Sequence, residues 1–93
     1  MIIGSSIVDL SLEGVFSLKE KRQIIKSIIT RIHSRFNVSI AEVGAQDKWQ
    51  YAVLGFCCVS NDTAHANSIL SNVVKFIEND GRVVMLDYSI EII

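Results

Sequence analysis

Two segments with a helical repeat of apolar residues are each bracketed by segments in which apolar and polar residues alternate. In the first helical segment, apolar residues recur at steps of three, four and seven between Leu18 and Phe36. In the second, they recur in the same way between Ala66 and Ile77. Alternation places side chains on opposite faces of a strand, so the flanking segments are predicted to be strands. The predicted order is strand, helix, strand, strand, helix, strand.

Capping residues mark the ends of both predicted helices. Ser17 and Glu20 have the spacing of a capping box, in which each side chain accepts a hydrogen bond from the other residue's backbone amide. Asn61 and Asp62 are candidate N-caps of the second helix, and Gly81 follows its predicted end. The helices are therefore expected to begin and end where the strands adjoin them.

The predicted strands cover residues 2–12, 37–43, 49–59 and 82–93, with a hairpin loop at 44–48. Two strand-helix-strand units with right-handed crossovers, joined by that hairpin, give an α+β fold, the ferredoxin-like βαββαβ plait. This fold has a four-stranded antiparallel sheet with both helices on one face and the first and third strands in the centre. The length fits one domain over residues 1–93.

In the third strand, two alternating sets of residues compete for the buried face, and we assign the helix-covered side to Ala52, Leu54, Phe56 and Cys58. In the last strand we assign to that side Val84, Leu86, Tyr88, Ile90 and Ile92. The opposite, open face is then predicted to carry Ile3, Ser5, Ile7, Asp9, Tyr51, Val53, Cys57, Val59, Val83 and Met85.

That open face is too apolar to be simply solvated, so we expect a partner to cover part of it. We expect a homo-oligomer that packs through this face, and any small ligand would lie between the two sheets. The predicted interface residues are Ile3, Ile7, Tyr51, Val53, Cys57, Val59 and Met85.

Basic residues concentrate in the first predicted helix. Six of the nine Lys and Arg residues fall there against one acid, Glu20, although the whole chain has a net charge of −1. Lys and Arg neutralise phosphates, so such a cluster is typical of a nucleic-acid-binding surface. The predicted RNA-binding residues are Lys19, Lys21, Arg22, Lys26, Arg31 and Arg35.

The alternative for these residues is a solvated helix whose long side chains shield the edge of the core. The sequence leaves open whether Lys21 and Arg22 face solvent or pair with carboxylates such as Glu42 or Glu13. Phe16 precedes the N-cap and is a candidate hydrophobic staple. Trp49, beside Lys48, is expected to close the hairpin against the core rather than to stack a base.

Residues suited to catalysis are few, and their positions do not indicate a common site. His33 lies near the border of the first helix's apolar stripe and His65 in the first turn of the second helix. A nucleophile needs a base within hydrogen-bond reach, and the base needs an orienting group. The carboxylates of Glu13, Glu42 and Asp47 are interpreted as solvated. We therefore expect a non-enzymatic binding protein without catalytic residues.

Cofactor and metal motifs are also missing from the sequence. Cys57 and Cys58 are neighbours in a strand, so they point to opposite faces and lack the spacing of a zinc site. We interpret them as small hydrophobic residues in a reducing compartment. No glycine-rich phosphate loop occurs. The amino terminus lacks the features of a signal peptide, and no apolar run approaches about 20 residues, so we expect a cytoplasmic location without a membrane partner.

Several stretches occur in a fixed order along the chain: Ser17-Leu18-Lys19-Glu20-Lys21-Arg22, Phe36-Asn37-Val38-Ser39-Ile40-Ala41-Glu42, Gln46-Asp47 with Trp49-Gln50, Leu54-Gly55 and Val59-Ser60-Asn61-Asp62. Together they resemble the YlxP-like family of small uncharacterised bacterial proteins. The resemblance covers essentially the whole chain, and it implies a ferredoxin-like fold. The family's genes commonly lie among those for transcription and translation factors, including a ribosome-binding factor. By association, the resemblance implies RNA or a ribosomal particle as a partner.

Overall fold

The strands are β1 (Ile2–Ser11), β2 (Ser39–Gly44), β3 (Tyr51–Ser60) and β4 (Val84–Ile92), and the helices are α1 (Leu18–Arg35) and α2 (Thr63–Glu78). This computed structural model describes residues 1–93. All strand pairs are antiparallel, in the order β2-β3-β1-β4, so β1 and β3 are central as predicted. The structure therefore confirms the ferredoxin-like βαββαβ plait. The strand β3 begins at Tyr51, two residues later than predicted.

Both helices begin at a side-chain cap. The backbone amide of Glu20 donates to the hydroxyl of Ser17 at 3.1 Å, as the capping box predicts. The carboxylate of Glu20 accepts from the amide of Phe16 at 3.0 Å, one residue before the amide that was predicted. Asp62 caps α2 by accepting from the amide of Ala64 at 3.4 Å. Neither helix combines the length and the apolar character needed to cross a membrane.

The hydrophobic core lies between the helices and one face of the sheet. The four β3 residues assigned to the helix-covered face are all buried: Ala52, Leu54, Phe56 and Cys58. They pack with the apolar stripes of α1 and α2, including Ile28, Ile32, Leu70 and Ile77. Cys57, on the opposite face, is half-buried, and both cysteines are free thiols. The predicted parity of β3 is therefore confirmed.

The strand β4 contains a bulge. Leu10 pairs with Met85 and Asp9 pairs with Asp87, so Leu86 is an extra residue between the two pairs. An extra residue shifts a two-residue alternation by one, so the two sides of the bulge follow different parities. The residues after it follow the prediction, since Ile90 and Ile92 pack against the core.

The residues before the bulge lie on the faces opposite to those predicted. Val83 is buried and Met85 packs against the core, so their assignment to the open face is wrong. Met85 therefore does not belong to the predicted interface. Val84 and Leu86, predicted to face the helices, are both exposed, and Val84 pairs with Ser11 at the end of β1.

Candidate functional site

Lys21 belongs to the core rather than to a binding surface. Its side chain is 1% exposed, and its Nζ lies 2.9 Å from Oε2 of Glu42 on β2. The distance between these two atoms is that of an ion pair, but their angles do not meet the geometry of a hydrogen bond. The ammonium also donates to the carbonyl oxygen of Ala45, a residue with a positive φ of 58°. A phosphate outside the fold cannot reach this group, so the prediction of Lys21 as an RNA contact is wrong.

Arg31 and Arg35 contact the second helix. Their guanidinium carbons lie 5.6 Å and 5.1 Å from the centroid of the Phe76 ring, within the range of cation–π attraction. Nη1 of Arg31 also lies 3.9 Å from the carboxylate of Asp80. Both arginines are exposed, but a phosphate would have to compete with these partners. These contacts of Arg31 and Arg35 therefore hold α1 against α2.

Asp80 is the anionic centre of that contact between the helices. It is 7% exposed, and its Oδ2 lies 2.7 Å from Nη2 of Arg82. The hydrogen bonds from Arg82 hold the pKa of the Asp80 carboxyl below its ordinary value. The same hydrogen bonds raise the pKa of the Arg82 guanidinium. This pair anchors the turn between α2 and β4.

The other three predicted RNA-binding residues form an exposed row on α1, which we call the basic ridge: Lys19, Arg22 and Lys26. Their spacing of three and four places them on one side of α1. None of them takes part in an ion pair or a cation–π contact. The basic ridge therefore has free positive charge to offer to a ligand.

The open face of the sheet combines exposed apolar side chains with carboxylates. Ile7 is 50% and Val59 66% exposed, although both belong to central strands. The strand register places the other predicted interface residues of β1 and β3 on this same face: Ile3, Tyr51, Val53 and Cys57. No other element of the chain covers this face.

Asp9 and Asp87 lie directly opposite each other across β1 and β4, on the open face. Like charges in such a pair repel each other. Partial burial, followed by the charge and hydrogen bond of Asp9, raises the pKa of the neighbouring Tyr51 hydroxyl. This part of the face is therefore unfavourable for phosphates.

Two exposed aromatic rings lie at the amino-terminal end of α1, outside the predicted set of binding residues. Phe16 is 69% exposed, so the predicted hydrophobic staple is wrong. A staple packs against the fourth helical residue, which is Lys21 here, and Lys21 turns to Glu42 instead. Trp49 is 50% exposed and does not close the hairpin against the core as expected.

Phe16 and Trp49 line a shallow cleft of about 530 Å³, which we call the aromatic cleft. Its other lining residues come from the hairpin between β2 and β3: Asp47, Lys48 and Gln50. The sequence carries one signal for this cleft. Lys21, a charged residue, occupies the position that would pack against Phe16 in a hydrophobic staple, so Phe16 has no apolar partner there.

Comparison with known proteins decides the family. Residues 3–90 match the model of a family described as a protein of unknown function (DUF503). The chain belongs to this family. One relative is the uncharacterized protein YlxP of Bacillus subtilis (strain 168), which is 44% identical to this chain over 63 residues, or 68% of each chain. The predicted resemblance to YlxP-like proteins is therefore confirmed.

A solved structure described as a dimeric ferredoxin-like protein from an uncultured marine organism is also similar to this family member. It has a TM-score of 0.44 and 9% sequence identity, and the match covers 100% of this chain and 94% of that one. At this level of similarity, the comparison carries no argument about assembly or function.

The stretch that most marks the resemblance to the family, residues 17–22, has two structural roles in this member. Ser17 and Glu20 cap α1, and Lys21 pairs with Glu42 inside the fold. Lys19 and Arg22 lie outside, on the basic ridge. Half of this basic stretch is thus explained by folding, and only its outward-facing charges remain for binding.

Proposed function

We propose that this protein is a non-enzymatic RNA-binding protein that contacts phosphates through the basic ridge. The observation that supports the proposal is the exposure of Lys19, Arg22 and Lys26 without any ion-pair partner. Exposed Lys and Arg side chains bind phosphates and release the counterions around them, which is the main source of nucleic-acid affinity. The gene context implied by the family makes a ribosomal particle in the cytoplasm the proposed source of that RNA.

The geometry of the basic ridge suits a phosphate backbone. From Lys19 to Lys26 the helix rises by about 10 Å. Three cations spread over that length can contact successive phosphates of one strand. The carboxylates of Asp9 and Asp87 lie on the open face of the sheet. RNA is therefore expected on the helical side of the molecule.

The non-enzymatic part of the proposal is supported by the two histidines. Neither His33 nor His65 takes part in an ion pair, and both are exposed. A histidine that acts as a general base is usually oriented by a third group. Neither residue has such a partner.

Co-sedimentation with ribosomal particles tests the RNA proposal. The variant with Lys19, Arg22 and Lys26 all changed to Glu should remain in the supernatant, whereas the wild type should sediment with the particles at low salt. Arg22→Gln and Lys75→Gln are a matched pair of single-site variants, since both residues are exposed on helices and only Arg22 lies on the basic ridge. Arg22→Gln should therefore weaken the sedimentation with the particles more than Lys75→Gln does. Sedimentation of the triple variant that is unchanged and insensitive to salt would contradict the proposal.

A second candidate function is supported by the open sheet face. Two copies of the chain would pack these faces together and so cover Ile7 and Val59, and any small ligand would bind between them. The basic ridge lies on the helical side, so an assembly through the sheets leaves it accessible. The two functions are therefore compatible.

Light scattering tests this assembly. The wild type should have the mass of a dimer, and Ile7→Asp or Val53→Asp should have the mass of a monomer, because a charge on the face would lose its water on assembly. Gln23→Asp adds the same charge on an exposed position of α1 and should remain dimeric. A monomeric wild type would contradict the candidate.

A further inference from the structure

The basic ridge accounts for phosphates but not for the two aromatic rings beside it. Phe16 lies three residues before Lys19, and it lines the aromatic cleft together with Trp49. Both rings are at least half exposed, and exposed aromatic rings on a pair of loops leave apolar surface in contact with water. A ligand that covers these rings would therefore gain affinity from their burial.

We propose that the aromatic cleft stacks an unpaired base of a single-stranded RNA segment whose phosphates lie on the basic ridge. This inference rests on the RNA-binding function proposed above and names the class of RNA. Every base offers a π-face, so base stacking on aromatic side chains tolerates many sequences. Bases in a duplex are already stacked, so the cleft selects a single strand, a loop or an end.

Hydrogen bonds join the two loops that carry the rings. Nε2 of Gln50 donates to the carbonyl of Val15 at 3.0 Å. The amide of Leu12 donates to the carbonyl of Gln50, also at 3.0 Å. Lys21 attaches the start of the hairpin to α1 through its contact with Ala45. The two loops are thus fixed relative to each other before a ligand arrives, which lowers the ordering cost of binding.

The two rings do not stack on each other. The aromatic contact within the chain joins Phe36 and Phe76, at the other end of α1, with ring centroids 5.8 Å apart. The faces of the Phe16 and Trp49 rings are therefore not covered by each other. Self-contact of the rings, which would compete with a base, is absent.

The charges around the cleft indicate a nucleotide rather than an apolar peptide. Lys48 lines the cleft, and its Nζ lies 5.9 Å from the centroid of Tyr51, a cation–π partner with which a phosphate would compete. Lys19 and Arg22 follow Phe16 in the first turns of α1. A nucleotide combines a planar ring with an adjacent phosphate, so it can use the aromatic rings and the ammonium groups together. Asp47 is the acidic residue in the lining, and its charge opposes this binding.

Trp49 is the only tryptophan of the chain, so its fluorescence reports on the cleft directly. The experiment titrates the full chain with a fluorophore-labelled single-stranded oligoadenylate, recording RNA anisotropy and, with an unlabelled copy, Trp49 emission. Adenosine monophosphate serves as a second probe that does not need the whole ridge. The variants are Phe16→Ala, Phe16→Tyr and Asp47→Asn, and Tyr88→Ala removes an exposed aromatic ring outside the cleft.

Stacking should quench Trp49 in parallel with the anisotropy change. Phe16→Ala should weaken RNA binding by about 5- to 150-fold, the equivalent of about 1–3 kcal/mol for one stacked base. Phe16→Tyr should retain the affinity, Asp47→Asn should increase it, and Tyr88→Ala should match the wild type. A duplex of the same sequence should bind without quenching Trp49.

The failure of this inference is distinguishable from that of the proposed function. RNA binding that depends on the basic ridge, with unchanged Trp49 emission and wild-type affinity in Phe16→Ala, would overturn the stacking inference and leave the proposed function standing. Quenching by adenosine monophosphate that Phe16→Ala removes, without any RNA binding, would refute the proposed function and the RNA class named here, and would leave the cleft as a site for a free nucleotide. No response of either signal to either probe would overturn both.

Discussion

The ammonium of Lys21 and the carboxylate of Glu42 lie 2.9 Å apart and join α1 to β2 inside the fold. Removing one partner of such a pair leaves the other charge buried. Glu42→Gln should therefore lower the free energy of unfolding by about 3 kcal/mol, at the lower end of the usual range because Glu42 is 19% exposed. Urea unfolding monitored by circular dichroism measures this change.

The matched control for this prediction replaces both partners. The double variant Lys21→Met/Glu42→Leu should be more stable than Glu42→Gln alone, because it leaves no unpaired charge in the fold. It should also bind RNA as the wild type does, since Lys21 does not reach the surface. A double variant less stable than Glu42→Gln would contradict the account of this pair.

Arg35 lies over the Phe76 ring, and its removal should affect stability more than binding. Arg35→Gln should lower the free energy of unfolding by about 0.5–1 kcal/mol, the usual range for an exposed cation–π contact. Its RNA affinity should change less than that of Arg22→Gln, which changes a residue with no partner. Equal losses of RNA affinity in the two variants would contradict this prediction and would show that the far end of α1 also contacts RNA.

The Asp80–Arg82 pair predicts a specific acid dependence of stability. The pKa of Asp80 in the folded protein is lowered from the ordinary 3.8 by hydrogen bonds from Arg82. The stabilisation is therefore fully present above the unfolded-state pKa and is lost as the pH falls through the lower folded-state value. The difference in unfolding free energy between wild type and Asp80→Asn should be constant above about pH 5 and shrink below about pH 4. A difference in unfolding free energy that stays constant below about pH 4 would contradict this account of the Asp80–Arg82 pair.

The elements of this fold could be predicted from the sequence because local signals and burial agree there. Ser17 and Asp62 cap the helices where a side-chain acceptor can satisfy free amides. The alternation of β3 leaves two candidate faces, and the set assigned to the helices is buried along the strand because that central strand runs without interruption. The extra residue Leu86 in β4 leaves no mark in the pattern of apolar residues, which is why Met85 was assigned to the wrong face.

The candidate site was predictable only in part, because a charge pattern does not show which charges are paired. Lys21 falls within the apolar stripe of α1, four residues before Ile25, and Glu42 shares the parity of Ile40. Two opposite charges at core positions are together a signal of an internal pair, but either one alone looks like a surface residue. The exposure of Phe16 follows from this pairing, so it was missed for the same reason.

The central claim is that Lys19, Arg22 and Lys26 bind RNA phosphates, and the salt dependence of RNA affinity tests it most directly. For single strands, the logarithm of the binding constant falls with the logarithm of salt concentration by about 0.7 for each phosphate contact. Changing all three residues to Gln should therefore reduce the steepness of that slope by about 2, measured by anisotropy with a labelled single-stranded RNA. A slope that is the same in the wild type and the triple variant would contradict the claim.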